Sequence, residues 1–193
     1  MIQLDWSRVV SHFGLAGTTH EPFVLHSLTR WEVYDRYERD ILTSKEFQAQ
    51  LSQYLGRPFD DPDFLRGWTS VLVRSVPGVE PVLAAVKKTT PLYALTNSNR
   101  AHCEWLNEHF PVAQAFDRIF TSFELKVRKP EAAAFSKVAD AIGFSPGEIL
   151  FVDDLEENVS AARRFGFRAE RAFNSASELT RIFRTYGLDV PVT

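Results

Sequence analysis

Three short polar runs have residue types and surroundings suited to holding an anion and a metal ion. The first is Thr96-Asn97-Ser98-Asn99, whose hydroxyl, amide and backbone N–H groups can all hydrogen-bond an anion. The same residue types also make ordinary helix caps. The second is Lys126-Val127-Arg128-Lys129-Pro130-Glu131. A lysine just ahead of a helix start is poorly placed for the helix dipole, which favours anions there, and it makes more sense if it faces an anion. A solvated lysine is the plain alternative. The third is Asp153-Asp154, directly after the apolar run Ile149-Leu150-Phe151-Val152. Adjacent carboxylates on a buried strand repel each other unless a lysine or a cation compensates. Oxygen donors of this kind suit magnesium, which takes one or two carboxylates, several waters and a substrate phosphate. An acidic helix start would also account for the pair, and Glu156 and Glu157 fit that role.

All three runs stand where a strand ends or a helix begins. Leu92 to Leu95 reads as a strand ending at Thr96, a short strand lies near Ile119-Phe120, and Ile149 to Val152 is a buried-type strand ending at Asp153. Helices are expected over about Val79 to Lys88, from His102 to Phe110, and from Pro130 through Ala141 with Gly143 as the stop. Ser145-Pro146-Gly147-Glu148 is a capped turn, another helix stops at Gly166, and a last strand and helix finish the chain. Near-continuous apolar strands alternating with helices predict an α/β fold with a parallel sheet covered on both faces. In such sheets ligands bind beyond the carboxyl ends of the strands.

Before Pro77-Gly78 the texture is helical. Thr43-x-x-Glu46 is a capping box, followed by Phe47, Leu51, Tyr54 and Leu55 and stopped by Gly56. Asp61-Pro62 opens a helix that carries Phe64, Leu65, Trp68, Val71 and Leu72 on one face. Trp31, Tyr34 and Tyr37 repeat the helical spacing, and these aromatics with Trp68 could line a sugar pocket, though at helical spacing they read first as core packing. No strand is expected in this half beyond the first few residues.

Composition narrows the function classes. The chain has 193 residues, 45% hydrophobic and 24% charged, which is enough for one domain with a small insert. A net charge of −3 without like-charge blocks argues against a nucleic-acid footprint or a membrane-surface role. The lone Cys103 excludes an internal disulfide, and with no apolar run of spanning length and no signal-like start, a cytoplasmic location is expected. His12, His20, His26, His102 and His109 do not group with Cys103 as zinc ligands do, and Cys103 reads as a packed helix residue.

The ordered set of Thr96, Lys129 and the acidic pair resembles the haloacid dehalogenase (HAD) superfamily of phosphatases. Leu95-Thr96-Asn97-Ser98 looks like its second motif, Arg128-Lys129-Pro130-Glu131 like its third and Phe151-Val152-Asp153-Asp154 like its fourth, with Asn158 fitting behind. Leu4-Asp5-Trp6-Ser7-Arg8-Val9, Tyr37-Glu38-Arg39 and Thr96-Asn97-Ser98-Asn99-Arg100 are similar to the bacterial sugar-phosphate branch that includes glucose-1-phosphate phosphatases. The resemblance implies a Rossmann-like core of residues 1–5 and 76–193 with a helical cap over residues 6–75. It implies magnesium-dependent hydrolysis of a small phosphorylated metabolite by a monomer or homodimer. Thr96, Asn97 and Ser98 would hold phosphate, Lys129 would neutralise charge, Asp153 would bind magnesium directly, and Asp154 would bind it through water or hold Lys129.

The superfamily's first motif, an apolar strand ending in Asp-x-Asp whose first aspartate attacks phosphorus to give an aspartyl phosphate, has no counterpart here. Three readings stand. The working protein carries about a dozen residues upstream of Met1; or Met1 to Asp5 forms the first strand, with Asp5 as nucleophile and Ser7 as a poor proton donor; or the chain is a catalytically silent HAD-like binding protein. A metal-free dehalogenase is a further alternative, which the adjacent Asp153-Asp154 pair disfavours. By the superfamily's topology the first strand lies between those ending at Thr96 and Asp153. About five buried apolar residues there would be worth on the order of 7–15 kcal/mol, so that position must be filled from this chain or another.

Overall fold

Caps and glycines set most helix boundaries. The computed structural model describes residues 2–173 and 175–190. Its first part contains α1 (Trp6–His12), α2 (Glu21–His26), α3 (Glu32–Glu38), α4 (Ser44–Leu55) and α5 (Asp61–Thr69). Thr43 and Glu46 close the expected capping box on α4, and Gly56 ends it at φ 68°, a left-handed conformation that glycine adopts without steric cost. The apolar faces of these helices meet in one aromatic cluster. Trp68, Phe47 and Phe64 are fully buried, and Tyr37 stacks on Phe47 with ring centroids 4.3 Å apart. Cap-type packing therefore accounts for Tyr34, Tyr37 and Trp68, while Leu65 faces solvent instead of joining the α5 stripe.

One strand appears where none was expected. β1 (Ile2–Leu4) pairs antiparallel with β2 (Leu72–Ser75), Ile2 opposite Ser75. Leu72 thus leaves the predicted α5 face: α5 ends at Thr69, and Leu72-Val73 continues as β-branched and apolar strand, made stable by the partner that Ile2–Leu4 supplies. Sequence periodicity alone cannot reveal a two-stranded ribbon whose partners lie some seventy positions apart.

The second part alternates strands and helices as expected: α6 (Val79–Val86), β3 (Tyr93–Thr96), α7 (Arg100–His109), β4 (Arg118–Thr121), α8 (Ser122–Leu125), α9 (Ala132–Ile142), β5 (Leu150–Asp153), α10 (Glu156–Phe165), β6 (Arg168–Arg171) and α11 (Ala176–Thr185). β3 pairs in parallel with β4, Thr96 opposite Thr121, and β5 with β6, Asp153 opposite Arg171. Among the described residues no ladder joins β3 to β5. Both strands instead line one cavity of about 800 Å³. All four residues of each remain half-buried, unlike inner strands of a covered parallel sheet, which bury both faces. One apolar cluster around Val79, Val82, Val86, Leu179 and Phe183 and another around Phe135, Val159, Ala162 and Phe167 pack the helices against the strands.

Candidate active site

Three chain turns converge at the carboxyl ends of β3 and β5. Thr96, Asn97, Ser98, Lys129, Asp153 and Asp154 all line the cavity between these strands. Lys129 Nζ lies 2.6 Å from Asp153 Oδ2, and both side chains are almost withdrawn from solvent, at 10% and 6% exposure. Asp153 Oδ1 accepts from Asn158 Nδ2 and from the Leu155 N–H, each at 2.9 Å. Burial alone would raise the Asp153 pKa, but Lys129 and these donors hold it below the ordinary carboxylate range. Asp153 is therefore an ionised, fully engaged carboxylate, and it is Asp153 that grips Lys129, the alternative role expected of Asp154.

The Asn97 side-chain amide is already engaged with the lysine loop. Its amide nitrogen donates to the Lys129 carbonyl and its amide oxygen accepts from the Lys129 N–H, both at 2.8 Å. This double bond pattern pins the lysine backbone to the end of β3. The Ser98 N–H donates to Ser122 Oγ, which donates back to the Ser98 carbonyl, both at 3.0 Å. The Thr96 hydroxyl makes only a long contact of 3.4 Å to the Asn97 carbonyl, so it can turn to an incoming oxygen.

Asp5 sits apart. It caps α1, accepting from the Ser7 N–H at 3.0 Å and the Ser7 hydroxyl at 2.6 Å, and it is not among the residues lining the cavity, whereas Ile2, Gln3, Leu4 and Trp6 are. β1 is spent on β2 and does not lie between β3 and β5. Met1 is outside the described residues.

The loop carrying Lys129 is also gripped from the helical part, by partners some ninety positions away in the chain. Arg128 Nη1 donates to Asp35 at 2.6 Å and Arg128 Nη2 lies 2.7 Å from Glu38, while Arg39 bonds both Asp35 and Glu131. Glu38 is 3% exposed. Burial pushes its carboxyl up to about 7, although Arg128 and the Tyr34 hydroxyl pull the other way. The available signal was its place on the aromatic face of α3, four residues after Tyr34, because a carboxylate there must find a partner.

Among the described residues no group of three or more His, Cys, Asp or Glu side chains is arranged around a metal position. The donor chemistry at the end of β5 nevertheless fits magnesium, which needs only one or two carboxylates and completes its shell with water and phosphate. Asp154, exposed beside the engaged Asp153, is the carboxylate with open coordination capacity. Half-buried Cys103 is unsuited to nucleophilic work, since its partial burial raises the thiol pKa.

The family profile described as hydrolase, haloacid dehalogenase-like hydrolase, matches residues 22–166. The chain belongs to the haloacid dehalogenase-like hydrolases. D-ribitol-5-phosphate phosphatase of Bacteroides thetaiotaomicron is 23% identical to this HAD-like hydrolase over 194 residues, covering 96% of this chain and 94% of that protein. Fructose-1-phosphate phosphatase of Escherichia coli is 26% identical over 171 residues, covering 85% and 83%. A HAD-family enzyme of Bacteroides thetaiotaomicron, solved as a magnesium complex, superposes with a TM-score of 0.80 at 25% identity over 95% of this chain and 93% of that one. The α/β architecture of this HAD-like hydrolase is thus that of its structural neighbours, and no helix among its described residues is long and apolar enough to cross a membrane.

Proposed function

We propose that this HAD-like hydrolase is a magnesium-dependent phosphatase of small phosphomonoesters, with sugar or sugar-alcohol phosphates as the substrate class. The observation that carries the reading is the buried Lys129–Asp153 pair on the rim of the cavity, beside Thr96 and Asp154. A phosphoryl group there would meet the Thr96 hydroxyl on one side and the Lys129 ammonium on the other. Such positioning and charge stabilisation dominate phosphoryl transfer, because its transition state spreads charge over the phosphoryl oxygens. Magnesium held by Asp153 and Asp154 would supply the remaining positive charge. Without a cation, Lys129, Asp153 and Asp154 carry one net negative charge among them, which opposes a phosphate dianion. The relatives that act on ribitol and fructose phosphates support the substrate class.

The attacking carboxylate belongs at the end of an extended strand between β3 and β5. Among the described residues those edges have no strand partner along the cavity, and Lys129 stands at the end where the carboxylate would arrive. A second reading, a silent phosphometabolite-binding protein, rests on Asp5 being spent as a helix cap. The deciding assay compares the 193-residue chain with a form extended upstream in the genomic reading frame, on a panel of sugar phosphates with and without magnesium. Hydrolysis by the extended form that disappears without magnesium and in Asp153→Asn supports the phosphatase. Tight phosphate-ester binding without turnover in both forms supports the silent reading.

A further inference from the structure

We propose that Glu38 is a positioning residue for the anion site, holding Lys129 in place through Arg128. The inference rests on the phosphatase reading for its purpose, but its geometry is independent of it. The segment from Arg128 to Glu131 is held at one end by α3 and at the other by Arg39, the residue that caps that helix. Asp35 and Glu38 of α3 take Arg128, with distances of 2.6 and 2.7 Å, and Arg39 takes Glu131 at the other end. Lys129 lies between these two grips, its backbone fixed on the opposite side by Asn97. Just beyond α3, Asp40 continues the contact by accepting from Lys126 at 2.8 Å. α3 and its C-cap therefore hold the loop from one side, while Asn97 and Asp153 hold Lys129 from the other.

Glu38 differs from the other members in its burial. Asp35 and Glu131 side chains keep 33% and 42% exposure, so water shares their charge, whereas the Glu38 side chain keeps 4%. Arg128, at 18%, faces two carboxylates; among the described residues neither its Nε nor Glu38 Oε2 has a hydrogen-bond partner, so Arg128 and Glu38 meet as a close ion pair. Exposed ion pairs hold side chains weakly, but a buried carboxylate left without its cation is costly, so the Glu38–Arg128 contact is the one that must be kept. The charged and titratable groups facing Glu38 are Tyr34 and Asp35 on its own helix, Arg128 and Lys129 on the loop, and Cys103 on α7.

The test is native-state hydrogen exchange on the full 193-residue chain, read at the Lys129 amide, with Glu38→Gln, Arg128→Met and the double variant. Measured above pH 7, where Glu38 is ionised, Glu38→Gln keeps the side-chain shape and removes its charge. The expected result is exchange at Lys129 faster by about tenfold or more, with core amides such as Phe135 and Val159 unchanged. Arg128→Met should do the same, and Glu38→Gln should add nothing in the Arg128→Met background, because both act along one chain of contacts. A second arm measures binding of inorganic phosphate with magnesium, where the dissociation constant should rise by about tenfold, the size usual for residues that orient a binding group. Wild-type protection at Lys129 in Glu38→Gln, a uniform rise at all amides, or a full effect persisting without Arg128 would each overturn the proposal. Failure of the wild-type chain to take up phosphate would count against the phosphatase reading, and the exchange arm would still decide the role of Glu38.

Discussion

Replacing Asp153 by asparagine removes one charge from the most enclosed ion pair at the site, and the structure sets the size of the effect. Lys129 would keep its ammonium at 10% side-chain exposure, with the Phe151 ring 5.6 Å away as its remaining favourable contact. Removing one partner of a buried pair costs about 3–5 kcal/mol, because the other charge stays desolvated. The Phe151 contact is common to both forms and cancels, but the new amide oxygen can still accept a bond from Lys129, which places the loss near the lower end, about 3 kcal/mol. For a domain of this size that is a fall in Tm of about 6–12 °C. Urea unfolding at pH 7 measures it directly. The folded Asp153 pKa lies below its unfolded value, so the stabilisation is complete above the unfolded pKa and is lost as pH falls through the lower folded one. The difference between wild type and Asp153→Asn should accordingly close only in strong acid. Adding Lys129→Met to the variant should recover part of the loss, since no charge is then left buried. A loss under about 1 kcal/mol, or no recovery in the double variant, would refute the view that Lys129 and Asp153 are held as a desolvated pair.

The remaining expectations concern packing and pH. An alanine at Gly67 would press its Cβ against the His12 ring and place it 2.5 Å from the Phe13 ring, where α5 crosses α1, so Gly67→Ala should cost about 1–3 kcal/mol in chemical denaturation. His102, buried and stacked on Trp68, is held neutral with its pKa lowered by burial to about 4, so it favours folding increasingly as pH rises from 4 to 6.5. Glu38, raised by burial to about 7, has the opposite slope between 4.5 and 7, and the two nearly cancel. Glu38→Gln should therefore expose the histidine slope, a gain of about 3 kcal/mol from pH 4 to 6.5, seen as a rising urea midpoint; a flat profile in the variant would contradict the neutral His102. Phosphate affinity should drop at least tenfold when magnesium is removed with a chelator, read by calorimetry, because the site alone is net negative.

What the sequence disclosed follows from how local each signal is. Thr96, Lys129 and Asp153 were legible because each follows or precedes an element whose residues announce it, an apolar run or a proline-led helix start, and the topology of a parallel sheet sends such ends to one place. Gly56, Gly143 and Gly166 announced their helix ends in the same way, each with a left-handed φ. The illegible features all depend on partners far apart in the chain. β2 needs Ile2–Leu4, Asn97 serves the Lys129 backbone, and Glu38 meets Arg128 across the junction of two parts. Asn97 is instructive, since its residue type fits an anion site or a cap equally well, and only the two bonds to Lys129 show that it holds the lysine.

The unpaired edges of β3 and β5 bear on stability as well as chemistry. Leu95, Phe151 and Val152 line the cavity and stay half-buried, so their apolar surface and the adjoining backbone groups are stabilised less than in a continuous sheet. A strand placed between them would bury side chains worth about 1.5–3 kcal/mol each and close two hydrogen-bond ladders at once. The same strand would bring its terminal residue to Lys129. Folding and the chemistry of the site are in this way tied to a single element, so a chain that gains the strand should gain stability and a competent site together. The upstream-extended form should unfold at a higher urea concentration than the 193-residue chain, with a larger m-value from its added buried surface. Equal midpoints and equal slopes for the two forms would show that the space between β3 and β5 is not where the additional residues go.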